Sequence, residues 1–281
     1  MKELEQDYSI ESLCAAFGVS RSGYYAWKAR PPSARALSDV ALGQRLCVMH
    51  QSAHGCYGSP RLRAQLLQEG VRISRRRVCR LMRQHHLLSR APRAFVPRTT
   101  DSHHAGPIAP NLMAEVAKVD GPNQVWVSDI TYVPTQEGWL FVAAVMDRWS
   151  RRIVGLTMAA HMETRLVEGA LAQAIHERRP PPGCLLHSDR GSQYASQAYR
   201  ERLAQTGLVP SMSRSGNCYD NAAMESFWGK LKNERIHRRR FASRHEARLA
   251  IFDYVHAFYN RKRLHSALGY QSPVDFENQN N

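Results

Sequence analysis

The sequence is most informative first for what it lacks. No apolar run approaches the roughly 20 residues needed to span a bilayer; Leu140–Met146, the best candidate, is far too short. The N-terminus reads Met-Lys-Glu-Leu-Glu-Gln-Asp, with no apolar core of a secretory signal. Six cysteines (Cys14, Cys47, Cys56, Cys79, Cys184, Cys218) are widely scattered and none forms a C-x-x-C pair, which excludes a zinc knuckle and a dithiol redox motif. Most are expected to be small buried hydrophobes in a reducing compartment. No sustained heptads precede Tyr8, so no coiled-coil zipper is expected there. These absences describe a soluble, cytoplasmic chain with no membrane partner.

Acidic residues are scarce only in parts of the chain. Residues 1–105 hold 17 Lys/Arg against 7 Asp/Glu, residues 106–220 hold 11 against 11, and residues 221–281 hold 11 against 6. Basic flanks around a neutral centre suit a protein whose ends grip a polyanion while its middle does chemistry. A hydrophobic content of 43% supports a folded chain, and 281 residues allow two or three domains.

The first 88 residues read as helices. Apolar residues at helical spacing over 10–17, a Gly18-Val19 break and a Ser20 cap give one helix–turn–helix pattern. Another helix is expected near 37–50. A second pair follows, with Ser59-Pro60 starting a helix, Gly70 stopping it and Ser74 capping the next through about His85. In that last helix Val78, Leu81 and Met82 form an apolar stripe, which leaves Arg76, Arg80 and Arg83 on an outward face suited to DNA phosphates. A solvated basic helix is the plainer alternative. Residues 89–122 are rich in Pro, Ala, His and Thr and read as a linker, with a short helix near 112–117.

From Asn123 the period changes. Val125, Val127, Asp129 and Thr131 alternate with Trp126, Ser128, Ile130 and Tyr132, as in a strand. A turn at Gln136-Glu137-Gly138 leads to a buried strand over 140–146, and a turn at 147–151 leads to a third over 152–158. Helix 163–177, strand 183–188, helix 196–206, strand 209–212 and helix 221–236 follow. Three antiparallel strands and then alternating helix and strand give an α/β fold with a mixed five-stranded sheet and flanking helices over 123–240. Residues 241–281 are expected to form a helix, about 243–259, and an irregular basic tail.

Three acids stand out in this core. Asp129 lies mid-strand, Asp189 ends an apolar strand, and Glu225 sits one turn into a helix. A carboxylate in such a strand costs burial energy unless a cation or hydrogen bonds compensate. Three acids converging there can hold two divalent cations for in-line displacement at a phosphodiester. Lys232, seven positions after Glu225, falls on nearly the same helix face, where it would hold a phosphate or remain a solvated lysine. His187 would orient a water or a carboxylate, or be a hydrogen-bonded structural histidine. Ser192 has no evident activating base, and Tyr194 lacks an Arg/His set around it, so a covalent nucleophile is not favoured. A turn-forming role suffices for Asp147.

Four blocks in order carry a family resemblance. Trp126-Val-Ser-Asp-Ile-Thr-Tyr132, His187-Ser-Asp-Arg-Gly-Ser-Gln-Tyr194 and the stretch from Ser211 to Phe227 resemble the retroviral-integrase-like core of bacterial insertion-sequence transposases. The stretch Tyr259-Asn-Arg-Lys-Arg-Leu-His-Ser-Ala-Leu-Gly-Tyr270, with Ser272-Pro273, resembles the closing signature of insertion-sequence family three. His54-Gly-Cys-Tyr-Gly58 and the helices after it resemble that family's helix–turn–helix region.

The resemblance implies a ribonuclease-H-like fold preceded by an all-α helix–turn–helix region. It implies a DDE mechanism with Asp129, Asp189 and Glu225 as catalytic and metal-binding residues. Two magnesium ions, with manganese able to substitute, would serve as cofactors. Lys232, Arg76, Arg80, Arg83, His187, Asn221, Arg261, Arg263 and His265 are the expected DNA contacts. The implied partners are double-stranded DNA (element ends and target), a multimer formed on it, and an upstream-frame protein of the same element, this chain resembling the second-frame product. A DNA-binding regulator and a ribonuclease-H-type nuclease on hybrids are the alternatives. The set of three acids disfavours the first, and the helix–turn–helix region and the closing signature disfavour the second.

Overall fold

The computed structural model describes residues 1–89, 106–114, 116, 118–213, 221–237 and 239–280. Most of the expected linker, Cys218 and residues 214–220 of the third motif lie outside the described residues. Among the described residues, no helix is long and apolar enough to cross a membrane.

The N-terminal helices form as their punctuation dictates. α1 (Ile10–Phe17) ends at Gly18, whose φ of 64° is the left-handed conformation that glycine adopts without a Cβ penalty. Ser20 caps α2 (Arg21–Ala29) by accepting the Gly23 N–H at 3.1 Å. α3 (Ala34–Ser52), α4 (Ser59–Gln68) and α5 (Arg75–Gln84) follow; Ser74 caps α5 by accepting the Arg77 N–H. Leu46, Leu62, Leu66, Val78 and Leu81 bury the common side of α3, α4 and α5.

The core is one five-stranded mixed sheet in the order β3-β2-β1-β4-β5. β1 (Val125–Thr135), β2 (Gly138–Asp147) and β3 (Ile153–Ala159) run as an antiparallel meander. α6 (Thr164–Arg178) crosses over to β4 (Leu185–Ser188), which lies parallel to β1. α7 (Ser192–Ala195) and α8 (Gln197–Thr206) lead to β5 (Val209–Met212), parallel to β4. At Gly155 a Cβ would stand 2.1 Å from the Ala170 carbonyl, so only glycine lets α6 lie so close to β3. The short α7 is one element the sequence reading did not anticipate.

Strand alternation sorts the sheet's two faces. Trp126, Ile130, Ala143, Val145 and Val154 pack under α6 and α8. Val125, Val127, Val133, Leu140, Val142 and Ala144 pack under α9 (Ala222–Leu231) and α10 (Arg244–Phe252). Both of these helices run on as π-helical turns, Lys232–Ile236 and Asp253–Tyr259.

The end of the chain corrects an expectation. Residues 260–280 are not an irregular tail: they include α11 (Pro273–Asn280) and are fastened to both other regions. Asn260 bonds Ile153 through both its amide oxygen and its amide nitrogen, at 3.0 and 2.9 Å. Glu277 takes Arg178 and Arg152. On the other side, the Tyr57 hydroxyl donates to the Lys262 carbonyl at 3.0 Å and accepts the Leu264 N–H at 2.7 Å. Arg61 Nε donates to the Leu264 carbonyl and Gln68 Nε2 to the Tyr270 carbonyl, each at 2.9 Å. The C-terminal segment thus joins α4 and the loop before it to the sheet.

Candidate active site

Asp129 points to the α9 side of β1, in the same alternation as Val125 and Val127. The parallel register pairs Val127 with His187, and Asp189, one residue past the end of β4, lies close enough for its charge to act on Asp129. Asp189 leaves β4 in a turn that its own side chain stabilises, Oδ1 accepting the Gly191 N–H at 3.0 Å. Glu225 enters from above, in the first turn of α9, with an exposed side chain.

Asp129 feels the charge of both other acids. Burial, then the charge of Asp189 and, more weakly, that of Glu225 push the Asp129 carboxyl up to about 8, against two stabilising hydrogen bonds. Those bonds are Ile130 N–H to Oδ1 at 2.8 Å and the Trp228 indole N–H to Oδ2 at 3.1 Å. Partial burial also raises the Glu225 carboxyl. The set offers hard oxygen donors and excess negative charge, the chemistry of a magnesium site. Among the described residues, however, no three His, Cys, Asp or Glu side chains are gathered closely enough to hold one ion. The acids approach one another without converging.

The other candidates separate by burial. Lys232 is buried, its ammonium 5.3 Å from the centre of the Tyr132 ring, and its pKa is lowered by burial while Asp129 acts to raise it. It is therefore an internal lysine within the field of Asp129. His187 is fully buried and its Nδ1 lies 2.9 Å from Ser211 Oγ, which ties β4 to β5. Asn221, buried at the start of α9, donates to the Ser128 carbonyl at 3.3 Å, so α9 is anchored next to Asp129. Tyr194 is buried, 3.0 Å from Ser128 Oγ, and burial holds its phenol well above the usual range. A phenol so protonated is a poor nucleophile, in agreement with the sequence reading.

Six expected DNA contacts need correction: Lys232, His187 and Asn221 are buried in the positions just described, and three more are engaged within the fold. Arg263, 2% exposed, is ion-paired with Glu234. His265 is also buried, and burial with neighbouring Arg263, Lys230 and Arg61 pushes its pKa down to about 2. Neither reaches a phosphate from inside the fold. Arg80 turns to α3, where it and Arg77 share Asp39 at 2.5 and 2.7 Å; these bonds hold the Asp39 carboxyl below its ordinary range. Arg76, Arg83 and Arg261 are exposed. The sequence reading missed Trp228, three positions after Glu225, because nothing in an aromatic on an apolar helix face signals that its N–H meets an acid on another element.

Known proteins place this arrangement. Residues 119–218 and 225–280 each match a family described as Integrase core domain, and residues 39–95 match one described as HTH-like domain. An insertion element IS600 31 kDa protein of Shigella sonnei is 47% identical over 264 residues, covering 94% of this chain and 97% of its own. The transposase InsF for insertion sequence IS3A of Escherichia coli is 38% identical and covers 98% and 96%. A transposase for insertion sequence element IS904 of Lactococcus lactis is 39% identical and covers 89% and 99%. With a five-stranded ribonuclease-H-like sheet behind a helical region, the chain belongs to the insertion-sequence family three transposases, as a second-frame protein with an integrase-type catalytic core.

Proposed function

We propose that this chain catalyses DNA transposition, cutting double-stranded DNA at the ends of its element and joining them to another phosphodiester, with Asp129, Asp189 and Glu225 as its carboxylate set. The observation that carries this reading is the parallel register of β1 and β4, which leaves Asp189 close enough for its charge to act on Asp129, on the side of the sheet that α9 and Glu225 cover. Two magnesium ions, or manganese in their place, suit these donors and when bound supply charge stabilisation to the attacking and leaving oxygens of a phosphodiester.

The chain's own residues prepare that site. A carboxyl pushed up to about 8 keeps its proton at neutral pH, so cation binding at Asp129 is coupled to release of that proton. Lys232 places an internal positive charge against Asp129 and limits the repulsion of the acid set. Asn221 holds the backbone carbonyl just before Asp129, and His187, through Ser211 Oγ, ties the strand that leads to Asp189 to β5. The exposed arginines Arg76 and Arg83 on α5, with Arg261, are positioned for phosphates of the DNA flanks. Bringing two element ends together calls for a multimer on DNA, in the bacterial cytoplasm, with the upstream-frame protein of the element as partner.

The test is Glu225→Gln in purified protein with magnesium and DNA bearing the inverted repeats that flank its gene. Cutting and joining should fall by more than about 1000-fold, about 4 kcal/mol of transition-state stabilisation, while duplex binding persists. Activity equal to that of the unaltered chain would remove Glu225 from the set.

A further inference from the structure

Asp129 has an unusual partner. Its Oδ1 is held by the next backbone N–H along β1, Ile130, whereas its Oδ2 is held by a side chain from another element, the indole Nε1–H of Trp228 at 3.1 Å. Trp228 is 5% exposed and its ring lies 4.6 Å, centroid to centroid, from that of Phe227. It follows Glu225 by three residues, so both project from one side of α9.

We propose that Trp228 is a positioning residue that fixes the orientation of the Asp129 carboxylate for cation binding through its indole N–H; this rests on the reading of Asp129 as a metal ligand.

The chemistry of the group supports the role. An ionised carboxylate offers about four lone-pair sites, two on each oxygen. The Ile130 and Trp228 donors occupy one on each oxygen and leave both oxygens a further site for a cation. An indole donates and never accepts, so it orients the acid without competing for the ion, as an imidazole or a carboxamide in its place would. A phenylalanine would fill most of the same volume and leave Oδ2 without a donor. Because the indole comes from the helix that carries Glu225, one rigid element sets the direction of one acid and bears another. Partners of this kind typically contribute about 10- to 100-fold to metal affinity or activity.

The experiment replaces Trp228 in the full chain with 3-benzothienylalanine, which keeps the bicyclic shape and substitutes sulfur for the N–H. Trp228→Phe is made in parallel. Manganese(II) binding is measured by the electron paramagnetic resonance signal of the free ion, thermal unfolding is recorded in chelator, and DNA joining is titrated against manganese. Both variants should bind manganese about 10- to 100-fold more weakly. Their unfolding temperature should stay within a few degrees of the unaltered chain, and the joining activity of the isostere should return at high manganese. Manganese binding by the isostere equal to that of the unaltered chain overturns the proposal. Asp129→Asn separates the two possible failures. If it abolishes binding while the isostere binds normally, Asp129 is a ligand and Trp228 does not position it. If Asp129→Asn also binds normally, the ligand reading falls and this proposal with it.

Discussion

Asp129 and Asp147 lie on neighbouring strands of one sheet, and burial raises both carboxyls, yet they are built for opposite ends. Asp147 closes β2, accepting the backbone N–H groups of Asn123, Trp149 and Ser150 at 2.8, 2.9 and 3.4 Å, with Arg178 3.6 Å away. Every neighbour named there is a donor or a cation. Asp129 has two donors but also faces two further acids. The first carboxylate is satisfied by the fold and holds the 148–151 turn; the second is left facing like charges, and its raised pKa records that unrelieved repulsion together with its burial. A buried acid is thus diagnostic of chemistry through what surrounds it, not through burial alone.

The comparison predicts opposite responses to substitution. The largest effect on the fold is expected from Asp147→Ala, which strands three backbone donors and removes one of the two carboxylates beside Arg178. Breaking a buried charged network costs about 3–5 kcal/mol, a fall in unfolding temperature of roughly 10 °C, readable by calorimetry. A smaller effect should appear on acidification. Burial alone would raise the Glu277 carboxyl, but hydrogen bonds from Arg178, Ser150 and Arg152 outweigh it and hold the group below its ordinary value of 4.5. A depressed folded-state pKa contributes stability that is present above the unfolded-state value and is lost as pH falls through the folded one. The unaltered chain should therefore lose this contribution below about pH 4.5, and Glu277→Gln should show a weaker acid dependence in pH-jump unfolding. An equal dependence would remove α11 from the satisfied class. The smallest effect on the fold belongs to the exposed arginines. Arg76→Ala with Arg83→Ala should leave the unfolding temperature unchanged while reducing the salt dependence of duplex binding by about two phosphate contacts. An unaltered slope would make α5 a solvated face.

Legibility in the sequence followed the range of the interactions. α1 and α2 were readable to within a residue because Gly18 and Ser20 act locally. The alternation of β1 correctly assigned Asp129 to the face shared with Val125 and Val127, since strand period is a local property as well. The five strands were readable from strand composition and from the resemblance together. What escaped depends on partners distant along the chain. Arg263 and His265 look like a basic, DNA-facing segment in sequence, but Glu234 and the strap under Tyr57 and Arg61 draw that segment inside. Arg80 has the right helical spacing for an outward face, and only the position of Asp39 on α3 turns it away. Trp228 is the sharpest case, since its partner is 99 residues earlier.

If Asp129 serves a bound cation, as proposed, it is held in place at a cost to the fold. An acid whose folded-state pKa lies above its unfolded value makes the fold less stable as pH rises between the two, here from 3.8 to about 8. The direct measurement is the unfolding temperature of Asp129→Asn beside the unaltered chain at pH 8, in chelator and in magnesium. In chelator the variant should melt at or above the unaltered chain, magnesium should stabilise only the latter, and the variant should not join DNA. A variant that melts several degrees lower in chelator, as Asp147→Ala should, would contradict the account and make Asp129 a structural acid like its neighbour.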